Sequence, residues 1–186
     1  MLLALAGVTG VGKSYFKDKI VEELNFEKIK IITTRQIRTG EKNNEDKIFV
    51  TPNEFQKLRN SNIIAYDFKM LDNIYAYSKE ALFSEKNTVF ELHYNTIFDL
   101  KRICPKMIAI YILPTNLEMA KEQTRKRHLN TDIEKSRLLE IDEHYKKILS
   151  DEALRNQFDY VVYNNYDKKS ENQIIELVKN ILNKEI

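Results

Sequence analysis

Residues 7–14 read Gly7-Val8-Thr9-Gly10-Val11-Gly12-Lys13-Ser14. The chain has 186 residues but only four glycines, and three of them fall in this stretch; the fourth is Gly40. Each glycine costs conformational entropy on folding, so their clustering in a glycine-poor chain marks backbone that needs unusual dihedrals or a very close approach. An apolar run, Met1-Leu2-Leu3-Ala4-Leu5-Ala6, precedes the stretch and reads as a buried strand. After it, Phe16, Ile20, Val21 and Leu24 fall on one helical face, which predicts a helix over 13–24. A glycine-rich turn between a strand and a helix lets successive backbone N–H groups curl around an anion at a helix N-terminus.

The spacing fits G-x-x-x-x-G-K-[ST], the P-loop or Walker A motif, in the strand–turn–helix context that the motif requires. Lys13 supplies a full positive charge for the β- and γ-phosphates of a nucleoside triphosphate. Ser14 supplies a hydroxyl for Mg²⁺, a hard cation that prefers oxygen ligands and keeps several waters. The sequence therefore predicts a nucleotide-binding loop over residues 7–14, with Tyr15 following it into the helix.

Short apolar runs and amphipathic stretches alternate along the rest of the chain. Strands are expected at 29–32, 88–92, 107–113 and 160–163, and helices at 95–102, 117–127, 130–149 and 172–182. This alternation predicts an α/β P-loop NTPase fold, a parallel β-sheet core with helices on both faces. Residues 33–78 differ in character. They are polar, with a loop at 39–44, a helix starting near Pro52, and strand-like pieces at 63–68 and 74–77. They read as an insertion into the core. The expected division is a single domain, with core segments 1–32, 79–127 and 138–186 and two segments, 33–78 and 128–137, set into it.

Composition narrows the class further. Hydrophobic residues make up 42% and charged residues 31%, enough for both a packed core and a solvated surface. The net charge of +2 gives no reason to expect nucleic acid as a partner. The single cysteine, Cys104, excludes an intrachain disulfide and any multi-cysteine metal site, and a reducing, cytoplasmic setting is expected. The apolar N-terminus is short, has no basic flank, and does not read as a signal peptide. No apolar run approaches the ~20 residues of a membrane helix.

Several segments carry a family resemblance. Thr33-Thr34-Arg35-Gln36-Ile37-Arg38-Thr39-Gly40-Glu41 resembles the TTR-x-x-R-x-GE segment of guanylate kinases. Asp72-Asn73-Ile74-Tyr75-Ala76-Tyr77-Ser78-Lys79-Glu80-Ala81 is similar to their N-x-YGTSKEA segment. Ile112-Leu113-Pro114 resembles the I-x-PPS strand end, and Phe158-Asp159-Tyr160-Val161-Val162-Tyr163-Asn164-Asn165 the FDY-x-x-x-N-D segment. Order and spacing match from residue 1 to about 182.

The resemblance implies ATP and Mg²⁺ as cofactors and small nucleotides as partners, in a monomer or homodimer, with 33–78 as an acceptor-binding insertion and 128–137 as a helical lid. Arg35, Arg38, Lys47 and Tyr75 stand where the family holds the acceptor's phosphate, with lysine at 47 departing from the family's tyrosine. Positions that read guanine fall at Ile31, Ala65 or Tyr66, Tyr77 and His93, and all depart. Ser78 keeps a hydroxyl beside them. Glu91 takes the first acidic position of the family's L-D-x-D-x-x-G, near the Mg²⁺ waters, and His93 takes the second. Arg127 and Arg137 match the lid arginines, which with Lys13 neutralise the transferring phosphoryl group. Asn164 resembles the residue beside the adenine.

Three functions are compatible with these residues. The first is ATP-dependent phosphorylation of a nucleoside monophosphate, by resemblance GMP or dGMP. The second is a kinase of the same fold acting on another nucleotide or a sugar phosphate. The third is a non-catalytic binding module, against which the intact Lys13-Ser14 pair counts.

Overall fold

The structure is a computed structural model, and it describes residues 1–37, 40–70, 72–127 and 131–184. Its centre is a parallel five-stranded sheet in the order β2-β7-β1-β8-β9, formed by β1 (Leu2–Gly7), β2 (Glu27–Lys28), β7 (Thr88–Glu91), β8 (Ile108–Pro114) and β9 (Tyr160–Asn164). β1 lies in the middle, which is why its sequence is a continuous apolar run: both of its faces are buried. Leu3 and Leu5 pack into one core and Ala4 and Ala6 into the other, all fully buried. The same alternation runs along β8, with Ile110 and Ile112 on one side and Ala109, Tyr111 and Leu113 on the other.

Helices cover both faces, as the α/β reading predicts. On the Leu3/Leu5 side, Phe16 and Ile20 of α1 (Lys13–Leu24) and Ile174, Val178 and Ile181 of α8 (Lys168–Lys184) enter the core. Ala120 of α5 (Leu117–Arg125) and Ile141 of α6 (Thr131–Ser150) join them there. On the other side, Ile97 and Leu100 of α4 (Ile97–Ile103) pack with Leu154 of α7 (Glu152–Arg155) and Ile148 of α6. Asn25 ends α1 in a left-handed conformation, which a helix C-terminus favours.

A second sheet, in the order β4-β3-β6-β5, is built from β3 (Ile31–Thr33), β4 (Lys47–Phe49), β5 (Ile64–Met70) and β6 (Asn73–Ser78). It carries α2 (Pro52–Asn60), and α3 (Lys79–Leu82) follows it. Pro52 opens α2 as expected, behind a capping box in which Thr51 and Glu54 satisfy each other's backbone N–H.

Several expected elements differ in detail. The single strand expected at 29–32 is two strands. Glu27–Lys28 pairs with β7 in the first sheet, and Ile31–Thr33 pairs with β4 and β6 in the second. The second sheet thus begins at Ile31, two residues before the boundary expected at 33. The helix expected at 95–102 starts as a 3₁₀ turn at Tyr94–Thr96 and is α-helical only from Ile97. The helix expected at 117–127 ends at Arg125, so Arg127 lies just beyond it.

Topology places the functional edge. The register pairs Leu5 with Glu91, Gly7 with Ile112, and Pro114 with Asn164. The carboxyl ends of the strands therefore meet at one edge, where open α/β sheets bind ligands. The Phe158-Asp159-Tyr160 segment fixes the last of them. The Asp159 carboxylate accepts from Ala109 N–H at 2.7 Å and from Lys101 Nζ at 2.6 Å, which locks β9 onto β8. Among the described residues, no helix is long and apolar enough to cross a membrane.

Candidate active site

The loop between β1 and α1 is held by contacts along its whole length. Gly10 has φ +81°, and a Cβ there would lie 2.1 Å from the Ala120 carbonyl oxygen. Gly12 has φ +99° and caps α1 without a side chain. Lys13 Nζ donates to the Gly7 and Val8 carbonyls at 3.0 Å each, so the ammonium folds back over the loop. Burial lowers its pKa. Arg127 and Arg137 push the same way, and Glu91 opposes them. Val8 and Val11 bury their side chains in the core and contribute only backbone to the loop.

Asn164, expected beside an adenine, lines the cavity next to the loop. Its Nδ2 donates to the Val11 carbonyl at 2.9 Å, and its Oδ1 accepts from Tyr166 N–H and from Ser170 Oγ. Asn164 is 5% exposed, and these bonds brace the loop. Tyr166 adds a second brace by donating to the Gly10 carbonyl at 3.2 Å. Tyr15 is half exposed and donates to Glu171 Oε2 at 2.8 Å.

Glu91, at the tip of β7, accepts from the Ser14 hydroxyl and lies 3.1 Å from Lys17 Nζ. Burial would raise its pKa, but Lys17, Lys13 and the hydroxyl outweigh it and hold the carboxyl below its usual value. The pair of Ser14 and Glu91 is a set of hard oxygen donors at the head of the loop, which fits Mg²⁺.

Lys17 escaped sequence reasoning. It is 5% exposed, and its ammonium bridges Glu91 and Asp46, 3.0 Å from Asp46 Oδ1. The signal was present: a lysine sits between Phe16 and Ile20 on the apolar face of α1, where a charge needs partners. Replacing Lys17 with Met should cost about 1–2 kcal/mol at pH 7. This is less than for a fully buried pair, because both carboxylates keep some solvent. The sign follows from the lowered carboxyl pKa values of Glu91 and Asp46. Their contribution is present above ~4, the ordinary carboxyl value, and is lost as pH falls through the folded pKa values. Urea unfolding of both proteins should therefore give a stability gap that narrows below pH ~4. A gap independent of pH would mean that packing, and not the ion pair, is what Lys17 contributes.

A cavity of about 780 Å³ runs from Tyr15 and Glu171, over the loop, to an aromatic wall and the start of α6. Lys13, Ser14, Lys47, Tyr75, Glu91, His93, Arg127 and Arg137 all line it. The wall is Phe68, stacked 5.5 Å from Tyr75 and 6.4 Å from Tyr77, with His93 6.5 Å away. Phe68 was not expected there. It shares a face of β5 with Tyr66, whose ring stacks on it at 6.0 Å; Tyr66 lies outside the lining and donates to Asp99 at 3.0 Å, and Ala65 is outside it too. The Tyr77 hydroxyl donates to the Glu91 carbonyl at 3.2 Å. Ile31 also lines the cavity.

Two residues expected at the acceptor, Ser78 and Arg35, are not among those that line the cavity. Ser78 Oγ accepts from Ala81 N–H at 3.2 Å and caps α3, outside the cavity lining. Arg35 is buried; its Nη2 donates to both Glu41 carboxylate oxygens at 2.7 and 2.8 Å, its Nη1 donates to the Gln36 carbonyl at 2.7 Å, and its guanidinium lies over the Phe49 ring. Lys47 reaches the same carboxylate at 3.4 Å. Arg38 lies outside the described residues, as do 128–130 of the expected lid. Residues 131–137 are the first turns of α6, where Arg137 donates to Glu140.

His93 and His144 also line the cavity. Burial lowers the pKa of each, reinforced by Lys13 and Arg137 and opposed by Glu140, and that of His144 falls to about 4. Both imidazoles are neutral at pH 7.

Comparison with known proteins agrees with the fold. Guanylate kinase from Anaplasma phagocytophilum has the same fold, with a TM-score of 0.70 at 24% identity, covering 100% of this chain and 85% of that one. Guanylate kinase from Lactobacillus delbrueckii subsp. bulgaricus is 30% identical over 96% of this chain and 87% of its own length. The Wolbachia pipientis wMel guanylate kinase is 29% identical over 100% of this chain and 90% of its own. The family model described as guanylate kinase matches residues 1–185, and the chain belongs to the guanylate kinase family.

Proposed function

We propose that the protein catalyses ATP-dependent phosphoryl transfer to a nucleoside monophosphate, GMP or dGMP, giving ADP and the nucleoside diphosphate. The observation that carries this is one continuous cavity with the Lys13 loop at one end and the Tyr75–Phe68 wall at the other. The triphosphate would lie along residues 7–14, on backbone N–H groups and the α1 N-terminus. The acceptor's base would lie on the aromatic wall, with its phosphate towards Lys47, Tyr75, Arg35 and Arg38. Arg35 would exchange part of its Glu41 pairing for a bidentate phosphate contact.

Ser14 would hold Mg²⁺ directly and Glu91 through its waters. When bound, the ion neutralises charge on the transferring phosphates. No covalent intermediate is needed. Lys13, Arg127 and Arg137 stabilise the equatorial oxygens of the γ-phosphoryl, and the cavity aligns it with the acceptor's phosphate oxygen. Arg127 and Arg137 stand at the two ends of the expected lid, which fits a role in the transition state.

The base end favours relaxed selectivity. Ile31, Phe68 and Tyr77 offer apolar and aromatic surface, and the Tyr77 hydroxyl is already bonded to Glu91. Unpaired donors of guanine buried there would cost about 1–3 kcal/mol each. A coupled ADP-release assay across ribo- and deoxyribonucleoside monophosphates, with ribose bisphosphate included, should find GMP phosphorylated. Its advantage in kcat/KM over other monophosphates should stay below ~10³. A larger advantage would overturn the relaxed pocket. Turnover of ribose bisphosphate but of no nucleotide would favour the sugar-phosphate alternative. Stoichiometric ATP binding with no acceptor turned over would favour a binding module.

A further inference from the structure

Glu140 and His144 line the cavity without a part in the transfer described above, and His93 has one only by its position. The ligand atoms of His93, Glu140 and His144 all lie within 4.8 Å of one another. Two different elements bring them together. Glu140 and His144 are four residues apart on α6 and so share a face. His93 enters from beyond the end of β7.

The orientations also converge. The rings of His93 and His144 are 5.5 Å apart at 84°, so they meet edge to face. Glu140 gives Oε2 to Arg137, while its Oε1 lies 3.9 Å from His144 Nε2. A carboxylate held on its far oxygen by a guanidinium is oriented as metal ligands commonly are.

Two imidazole nitrogens and one carboxylate oxygen form a borderline donor set that suits Zn²⁺ and not Mg²⁺. Tetrahedral bonds of about 2.1 Å put donor atoms about 3.4 Å apart, so side-chain rotation over roughly an ångström closes the site. We propose that His93, Glu140 and His144 form a three-ligand site for Zn²⁺, which ties α6 to the end of β7 and leaves a fourth position open to the cavity. Lys13 and Arg137 oppose a cation there, so the affinity is moderate, with a Kd on the order of 10 μM. One consequence rests on the proposed function: a metal on His93 and a base on the wall beside it exclude each other.

The test uses the whole chain, stripped of metal and without nucleotide, titrated with ZnCl₂ alone. The chain has three histidines, His93, His128 and His144, and imidazole NMR follows each one. Zn²⁺ should shift His93 and His144 and leave His128 in place, and His144→Gln should weaken binding at least ~10-fold. His128→Gln keeps only the two proposed histidine ligands, together with Glu140, and should bind as tightly as the unaltered chain. It provides the decision if His144→Gln does not fold. No shift of His93 and His144 at about 1 mM Zn²⁺, a shift of His128 alone, or loss of binding in His128→Gln would overturn the site. Added GMP should raise the apparent Kd for Zn²⁺. An unchanged Kd with both imidazoles shifted would leave the metal site standing and remove the base from its place beside His93.

Discussion

Lys13→Ala should lower kcat at saturating ATP and GMP by at least ~10²-fold, equivalent to about 2.7 kcal/mol of lost transition-state stabilisation. Three observations set this scale. The ammonium is half-buried at the head of the loop, where its charge is less screened than in bulk water. It is held by the Gly7 and Val8 carbonyls, contacts that it can exchange for phosphate oxygens without moving the backbone. Arg127 and Arg137 lie close enough to depress its pKa, so the three cations form one field, and anionic phosphates would relieve their mutual repulsion. That repulsion also predicts a small effect on folding. Removing Lys13 loses two hydrogen bonds but relieves like charges, and the net change in stability should stay within ~1 kcal/mol. Coupled ADP release gives the kinetic effect and urea unfolding the stability. If kcat stays within tenfold of the unaltered chain, Lys13 acts in binding and not on the transferring group.

How much of this was legible in the sequence depends on which contacts are local. The loop, α1 and the central strands were readable because their signals are continuous: an apolar run, clustered glycines, and a helical face. β1 needs no partner identity to be recognised, since any strand buried on both faces is apolar throughout. The division of 27–33 between two sheets was not readable. Lys28 and Ile31 are three residues apart, and only their pairing with β7 and β4 assigns them to different sheets.

Side-chain roles divided in the same way. Resemblance could name Asn164 and Ser78 as polar positions near a nucleotide. It could not show that the Asn164 amide bonds Val11 and Tyr166, or that Ser78 caps a helix. The Lys17 bridge to Asp46 and Glu91 spans 74 residues, which no local pattern encodes. The convergence of His93 with Glu140 and His144 joins the end of a strand to the middle of a helix in the same way. The wall residue Phe68 lay inside an expected strand, but a one-residue uncertainty in register reverses which side chains face the cavity.

Gly10→Ala should destabilise the protein by at least ~3 kcal/mol, well beyond the usual cost of a single substitution. Two penalties combine there. The φ of +81° is strained for any residue with a Cβ, worth about 1–2 kcal/mol. The new Cβ would also lie 2.1 Å from the Ala120 carbonyl oxygen, 2.8 Å from Thr124 Oγ1 and 3.0 Å from the Ala120 carbonyl carbon. These atoms cannot easily give way. Ala120 is fully buried in α5, and its carbonyl already accepts from Thr124 at 2.9 Å. Relief requires either α5 to move off the loop, carrying the chain towards Arg127, or the loop to change shape. Either movement disturbs the phosphate cradle, so ATP affinity should fall together with stability. Gly40→Ala separates the two penalties. Gly40 has nearly the same φ, +84°, but nothing lies within 4 Å of its Cβ position. It should cost only the backbone strain of about 1–2 kcal/mol and leave ATP affinity unchanged. Urea midpoints and ATP titrations on the two variants measure the difference. Equal losses would mean that the loop yields freely to α5, and that contact with Ala120 is not what limits position 10 to glycine.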